Sequence, residues 1–229
     1  MTRVVLLPSQ LLGPMVWSGV AVLLRERGHL ATVVELPDRV GSVADVLDEF
    51  SSQLSGSEPV VLVPHSNAGL YVAALAERRP VAAVVFADAL VPGPDPATPT
   101  TSPGLRAMLA VLADEDGLLP PWTRWWPGAD TDVLFPDAET RQSVERAEPR
   151  LPYSYFEESV PSPPGWEDLP AAYLAFGDTY ADERAEAARR GWPVATLQGL
   201  HLHPLVDPAA VVAALEALLA RLGVVNEFP

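Results

Sequence analysis

Short apolar runs alternate along this chain with stretches whose apolar residues recur three and four apart, and this alternation is the strongest constraint on the fold. The runs are Val4 to Leu7, Ala31 to Glu35, Val60 to Val63, Ala82 to Ala87, Ala172 to Phe176 and Val194 to Leu197. Helices fit between them. Trp17 to Arg27 ends at Gly28, and Ser42 can cap a helix carrying Val43, Val46, Leu47, Phe50 and Leu54. A third helix carries Leu70, Tyr71, Ala74 and Leu75 before Arg78-Arg79-Pro80 stops it. Asp182 to Arg190 and Asp207 to Leu222 follow, the last opened by an Asp207 cap with Pro208 at its first helical position. Strands separated by helices run parallel, because a parallel neighbour requires a crossover. The expected fold is therefore α/β, with a doubly wound, mostly parallel six-stranded sheet.

From Pro92 to Pro170 no such alternation can be followed. Most of the chain's prolines fall there, together with Trp122, Trp125, Trp126 and Trp166. A chain of 229 residues suits one α/β domain with an insertion and is too short for two ordinary domains. The expected division is a core of residues 1–91 and 169–229, with residues 92–168 inserted as a lid or cap after the fourth strand.

The chemistry is expected where the third run meets its helix, in Val60-Val-Leu-Val-Pro-His-Ser66-Asn-Ala-Gly69-Leu-Tyr71. A serine on a sharp strand-to-helix turn projects its hydroxyl beyond the sheet edge, and the next amide faces the same space from a helix N-terminus. The G-x-S-x-G pattern would place small residues two before and two after the serine. Here those positions hold Pro64 and Ala68. The competing reading is a Ser/Asn helix cap after a buried strand. Ligands of such sheets bind beyond the carboxyl ends of the strands. At that edge the sequence places Pro8 to Gln10, Ser66, Asp88, Asp178 and His201.

Composition narrows the partners. A net charge of −15 argues against nucleic acid and anionic membranes, which both need a positive face, and leaves a small-molecule substrate as the expectation. There is no cysteine for a thiolate metal site, a disulfide or a nucleophile, and no lysine for a Schiff base. The N-terminal apolar run is too short for a secretory core, so cytoplasmic residence is expected.

These features together resemble the α/β-hydrolase family, and in particular its compact branch of plant hormone methyl esterases and hydroxynitrile lyases. Leu7-Pro-Ser-Gln-Leu-Leu-Gly13-Pro-Met-Val-Trp17 is similar to that branch's oxyanion loop, a His-Gly pair followed by Gly and Trp at this spacing, with Pro8 and Ser9 in place of the pair. Gly199-Leu-His201-Leu-His203-Pro-Leu-Val-Asp-Pro208 is similar to its terminal motif, in which the catalytic histidine precedes a helix-opening proline by seven residues. The resemblance implies Ser66 as nucleophile, His201 as base, and the amides of Gln10 and Asn67 as oxyanion hole. His65 would face away within the elbow. Most members carry the acid in a G-x-x-D pattern after the strand preceding the histidine, where Gly177-Asp-Thr-Tyr180 offers tyrosine and an offset Asp178. Haloalkane dehalogenase-like members place it after the nucleophile helix's following strand, which Phe86-Ala-Asp88-Ala-Leu-Val-Pro92 resembles. Asp88 is therefore ranked ahead of Asp178. Ser9, Trp122, Trp125, Trp126 and His203 are the expected substrate-binding residues, although the tryptophans equally suit the core of the insertion.

The resemblance implies a serine hydrolase acting on an ester or thioester of a small to medium apolar acyl group, with no metal or cofactor. Two alternatives remain open at this point. One is a lyase or cyclase using the Ser-His pair for proton transfer, to which Ser9 lends weight, because hydroxynitrile lyases carry a hydroxyl residue there. Leu202 counts against the cyanohydrin reaction, which uses a lysine after the histidine. The other is a ligand-binding protein on the same fold.

Overall fold

The computed structural model describes residues 3–54 and 56–224. The chain begins β1 (Arg3–Leu7), α1 (Ser18–Glu26), β2 (Leu30–Val33), α2 (Val43–Gln53), β3 (Val60–Ser66), α3 (Val72–Arg78) and β4 (Val81–Ala89). It continues through β5 (Ala97–Pro99), α4 (Pro103–Leu112), α5 (Gly128–Asp132), α6 (Ala138–Ala147) and β6 (Ser159–Pro161). It ends with β7 (Ala171–Phe176), α7 (Ala181–Arg189), β8 (Val194–Leu197), α8 (His203–Val206) and α9 (Pro208–Arg221). The central sheet has the order β2-β1-β3-β4-β7-β8, and every pairing in it is parallel.

Both faces of that sheet are covered, which is why its strands read as unbroken apolar runs. Successive side chains leave a strand on opposite sides. Val4 and Leu6 pack with Val20 and Leu24 of α1 and Val211, Leu215 and Leu218 of α9, whereas Val5 and Leu7 join Val46 and Phe50 of α2 and Leu75 of α3. The helix starts are built as the sequence indicates. Ser42 Oγ accepts the Asp45 N–H (3.2 Å), and Asp207 Oδ1 accepts that of Ala210 (2.9 Å).

Three local features differ from expectation. The helix after Ser66 opens as a 3₁₀ turn over Asn67–Tyr71 before becoming α3. The short α8 precedes α9. Between β4 and β7, β5 and β6 pair as an antiparallel ribbon. Each of its strands has three residues and ends in proline, too short for an alternating pattern to register in the sequence.

Candidate active site

Ser66 ends β3 with φ 57° and ψ −129°, a left-handed φ that a residue with a Cβ rarely adopts, and its side chain is nearly buried. The turn is held by a close approach. A Cβ on Gly69 would lie 1.9 Å from the Leu90 carbonyl oxygen, so only glycine lets the new helix pass the end of β4. This requirement falls three residues after the serine, and Ala68 is accommodated one residue earlier, fully buried. Pro64 lies opposite Leu7 within β3 and brings no N–H to the ladder.

The carboxylate comes from a bulge. His65 pairs with Ala87 and Ser66 with Ala89, so β4 carries one extra residue between them, Asp88, with φ 44°. Tyr173 clamps the strand just beyond, its hydroxyl accepting the Ala89 N–H (3.0 Å) and donating to the Ala89 carbonyl (2.8 Å). Asp88 is wholly buried. Its Oδ1 accepts the Phe176 N–H (3.0 Å), and its Oδ2 accepts Nδ1–H of His201 (2.7 Å). The alternative acid, Asp178, is exposed and paired with Arg184 (2.8 Å). Gly177 explains this, since its φ of 72° turns the chain sharply after β7 and a Cβ there would meet the Gly199 carbonyl at 2.5 Å.

With Nδ1 donating, His201 presents Nε2 as an acceptor. The ring stacks on His65 at 4.5 Å between centroids and 20° between planes, and His65 Nε2–H donates to the His201 carbonyl (3.0 Å). Burial holds the His65 imidazole well below its ordinary range. The neighbouring His201 adds to that effect and the carbonyl contact opposes it. His65 therefore stays neutral beneath the second ring. Ser66 Oγ lies 3.1 Å from Tyr180 Oη, a partner that sequence reasoning missed. The available signal was Tyr180 filling the last place of the G-x-x-D pattern. Burial pushes its phenol above the usual range, so the hydroxyl is protonated at neutral pH.

Behind the elbow, Gln10 Nε2 donates to Asn67 Oδ1 and to Tyr155 Oη, Tyr155 also bonds Tyr71 (2.8 Å), and Asn67 Nδ2 donates to the Thr100 carbonyl (2.9 Å). This network fixes Asn67 and the loop carrying Gln10. Two expected substrate contacts are placed differently. Ser9 is buried with Oγ accepting the Leu11 N–H (3.2 Å), so Leu11 rather than Ser9 faces the cavity. His203 packs against Phe176 and under Gly199 instead of lining the cavity.

Ser66, Asn67, Tyr180 and His201 line one cavity of about 520 Å³. Trp122, Trp125 and Trp126 form part of its wall and also pack on one another. Their segment is anchored by Glu148, whose Oε2 accepts both the N–H (3.3 Å) and hydroxyl (3.0 Å) of Thr123. Burial raises the Glu148 carboxyl to about 7, against the opposing pull of the Thr123 bonds.

The sheet order, the strained serine after β3 and the excursion between β4 and β7 constitute the α/β-hydrolase fold. Comparison with solved structures gives the same answer. An extracellular α/β-hydrolase from a Paenibacillus species superposes with a TM-score of 0.76 at 14% identity, over 95% of this chain and 99% of that one. Tomato methylketone synthase I bound to 2-tridecanone gives 0.71 at 16% identity, over 96% and 98%. Among characterised sequences, methyl jasmonate esterase 1 of Vitis vinifera is 34% identical over 97 residues, 36% of this chain and 37% of the relative. Esterase PIR7B of rice is 36% identical over 95 residues, 35% of each chain. These alignments span about a third of the relatives' length. No protein-family model matches the chain. The resemblance to α/β-hydrolases and plant methyl esterases read from the motifs is thus borne out.

Proposed function

We propose that the protein is a serine hydrolase that cleaves uncharged esters of small to medium apolar acids through an acyl-enzyme. The observation that carries this reading is the convergence of a strained serine and a hydrogen-bonded Asp88–His201 pair on one largely apolar cavity. In the proposed cycle, Nε2 of His201 takes the Ser66 proton as Oγ attacks the ester carbonyl, and Asp88 stabilises the imidazolium. The amides of Asn67 and Gln10 receive the oxyanion; losing one such donor typically costs about 100- to 1000-fold in rate. The imidazolium then protonates the leaving oxygen, and water repeats the sequence on the acyl-enzyme.

The lining supports a neutral substrate. Among the described residues its lining holds no arginine or lysine, its carboxylate is Asp130, and nearby Arg124 is engaged by Glu145 (2.5 Å). A thioester on a phosphate-bearing carrier therefore finds no counter-charge there. The volume suits a medium-sized ligand. Residues 92–168 act in this reading as a lid, since they contribute the tryptophan wall.

Fluorophosphonate labelling followed by mass analysis of the modified peptide tests the proposal. Ser66 should carry the label. Ser66→Ala should abolish both labelling and hydrolysis of p-nitrophenyl hexanoate while leaving Tm nearly unchanged. Labelling at another residue, or esterase activity surviving in Ser66→Ala, would sink it.

A further inference from the structure

We infer that Tyr180 is a further catalytic residue, donating a hydrogen bond to the leaving-group oxygen as the tetrahedral intermediate breaks down. The inference rests on the hydrolase reading and adds to it a preference for esters whose leaving alcohol is strongly basic.

Position comes first. Tyr180 lies at the start of α7, just past the sharp turn at Gly177, and its placement is fixed from both sides. Arg184 donates its backbone N–H to the Tyr180 carbonyl (3.0 Å) and its guanidinium to the Gly177 carbonyl (2.9 Å) and Asp178 (2.8 Å). The phenol consequently projects into the cavity, with Oη 3.1 Å from Ser66 Oγ and the ring centroid 5.4 Å from that of His201.

The side of the site on which it stands determines its partner. Once Oγ has attacked, Oγ and the leaving oxygen are bonded to the same carbon, so a donor within hydrogen-bond distance of one can reach the other. The oxyanion amides approach from the loop after β1 and from the helix that follows Ser66. The leaving oxygen must lie towards His201, which delivers its proton, and Tyr180 packs against that ring. In the balanced step the carbon–oxygen ester bond breaks, its electron pair stays on the alkoxide, and the His201 imidazolium supplies the proton. Tyr180 keeps its own proton throughout. Because the hydroxyl is protonated at neutral pH, it can donate and cannot serve as a competing base.

The test uses two esters of one acid, methyl hexanoate and p-nitrophenyl hexanoate, with wild-type protein and Tyr180→Phe. A hydrogen bond to developing charge is worth about 10- to 100-fold in rate. Tyr180→Phe should lose that factor in kcat/KM, which reports acylation, on the methyl ester and stay within about 3-fold on the p-nitrophenyl ester, whose phenolate leaves without help. Fluorophosphonate labelling of Ser66 should persist, and Tm should change little. Equal losses on both esters, or none on either, would overturn the inference while leaving the hydrolase reading in place. If wild-type protein neither labels nor hydrolyses either ester, the hydrolase reading itself fails and the inference falls with it.

Discussion

Asp88→Asn is an isosteric change at a site where hydrogen-bond direction decides the outcome. One carboxylate oxygen accepts the Phe176 N–H (3.0 Å) and the other accepts His201 Nδ1–H (2.7 Å). The Phe176 amide belongs to β7 and cannot be reversed, so the asparagine carbonyl must face it and the NH₂ must face His201. A donor there requires Nδ1 to be the acceptor, which places the imidazole proton on Nε2. That tautomer cannot take the Ser66 proton. The expected loss in kcat/KM is up to about 10,000-fold, or about 5 kcal/mol at 1.36 kcal/mol per tenfold. The opposite amide orientation would set NH₂ against the Phe176 N–H and leave buried donors unpaired, at about 1–3 kcal/mol. Hydrolysis of p-nitrophenyl hexanoate and a melting curve therefore read two different quantities. A large rate loss with a small Tm change is the expected result. A rate within tenfold of wild type, accompanied by a lowered Tm, would show that the imidazole keeps its tautomer and that Asp88 is not its controlling partner.

Two further predictions concern the frame around the site. Gly69→Ala places a methyl group against the Leu90 carbonyl. The strain should be about 3 kcal/mol or more, lowering Tm by roughly 6–12 °C in a chain of this size, and an unchanged Tm would show that the elbow adjusts freely. Glu148 titrates at about 7 in the folded protein against 4.5 for an ordinary glutamate. Its folded value is raised, so its contribution is fully present below 4.5 and is lost as pH rises towards 7, by at most about 3 kcal/mol. Glu148→Gln should flatten that part of the stability profile between pH 4.5 and 7, and a profile parallel to wild type would contradict the burial argument.

The parallel sheet was legible because strands buried on both faces must be apolar throughout, and caps such as Ser42 and Asp207 mark their helices locally. Ser66 and His201 were legible for a similar reason, since a strand end and a proline-spaced helix start are short-range signals. Asp88 could be singled out as an acid without a local partner. Its bulge could not, because register is a property of two strands. The Ser66–Tyr180 contact joins residues 114 apart, and the Gln10–Tyr155 contact joins residues 145 apart. Such pairings depend on how loops from separate crossovers meet at the sheet edge. Ser9 and His203 lie off the cavity on the same account. Motif spacing located their backbone but not the direction of their side chains, and each turns to its own loop or the core.

The extra residue in β4 also sets a rule for transplanting this arrangement into a related sheet. Side chains along a strand alternate faces, so shifting by one position reverses the face on which every later residue emerges. The bulge after Ala87 performs such a shift, letting Asp88 reach His201 and Phe176 while Ala89 returns to register beside Ser66. Leu90 then donates its N–H to the Ser66 carbonyl (3.0 Å) and turns its own carbonyl towards Gly69. Substituting aspartate into a regular strand would supply the carboxylate without the re-phasing. Moving the acid between sheets thus takes an insertion of one residue, and the strand's exit past the nucleophile helix has to be moved with it.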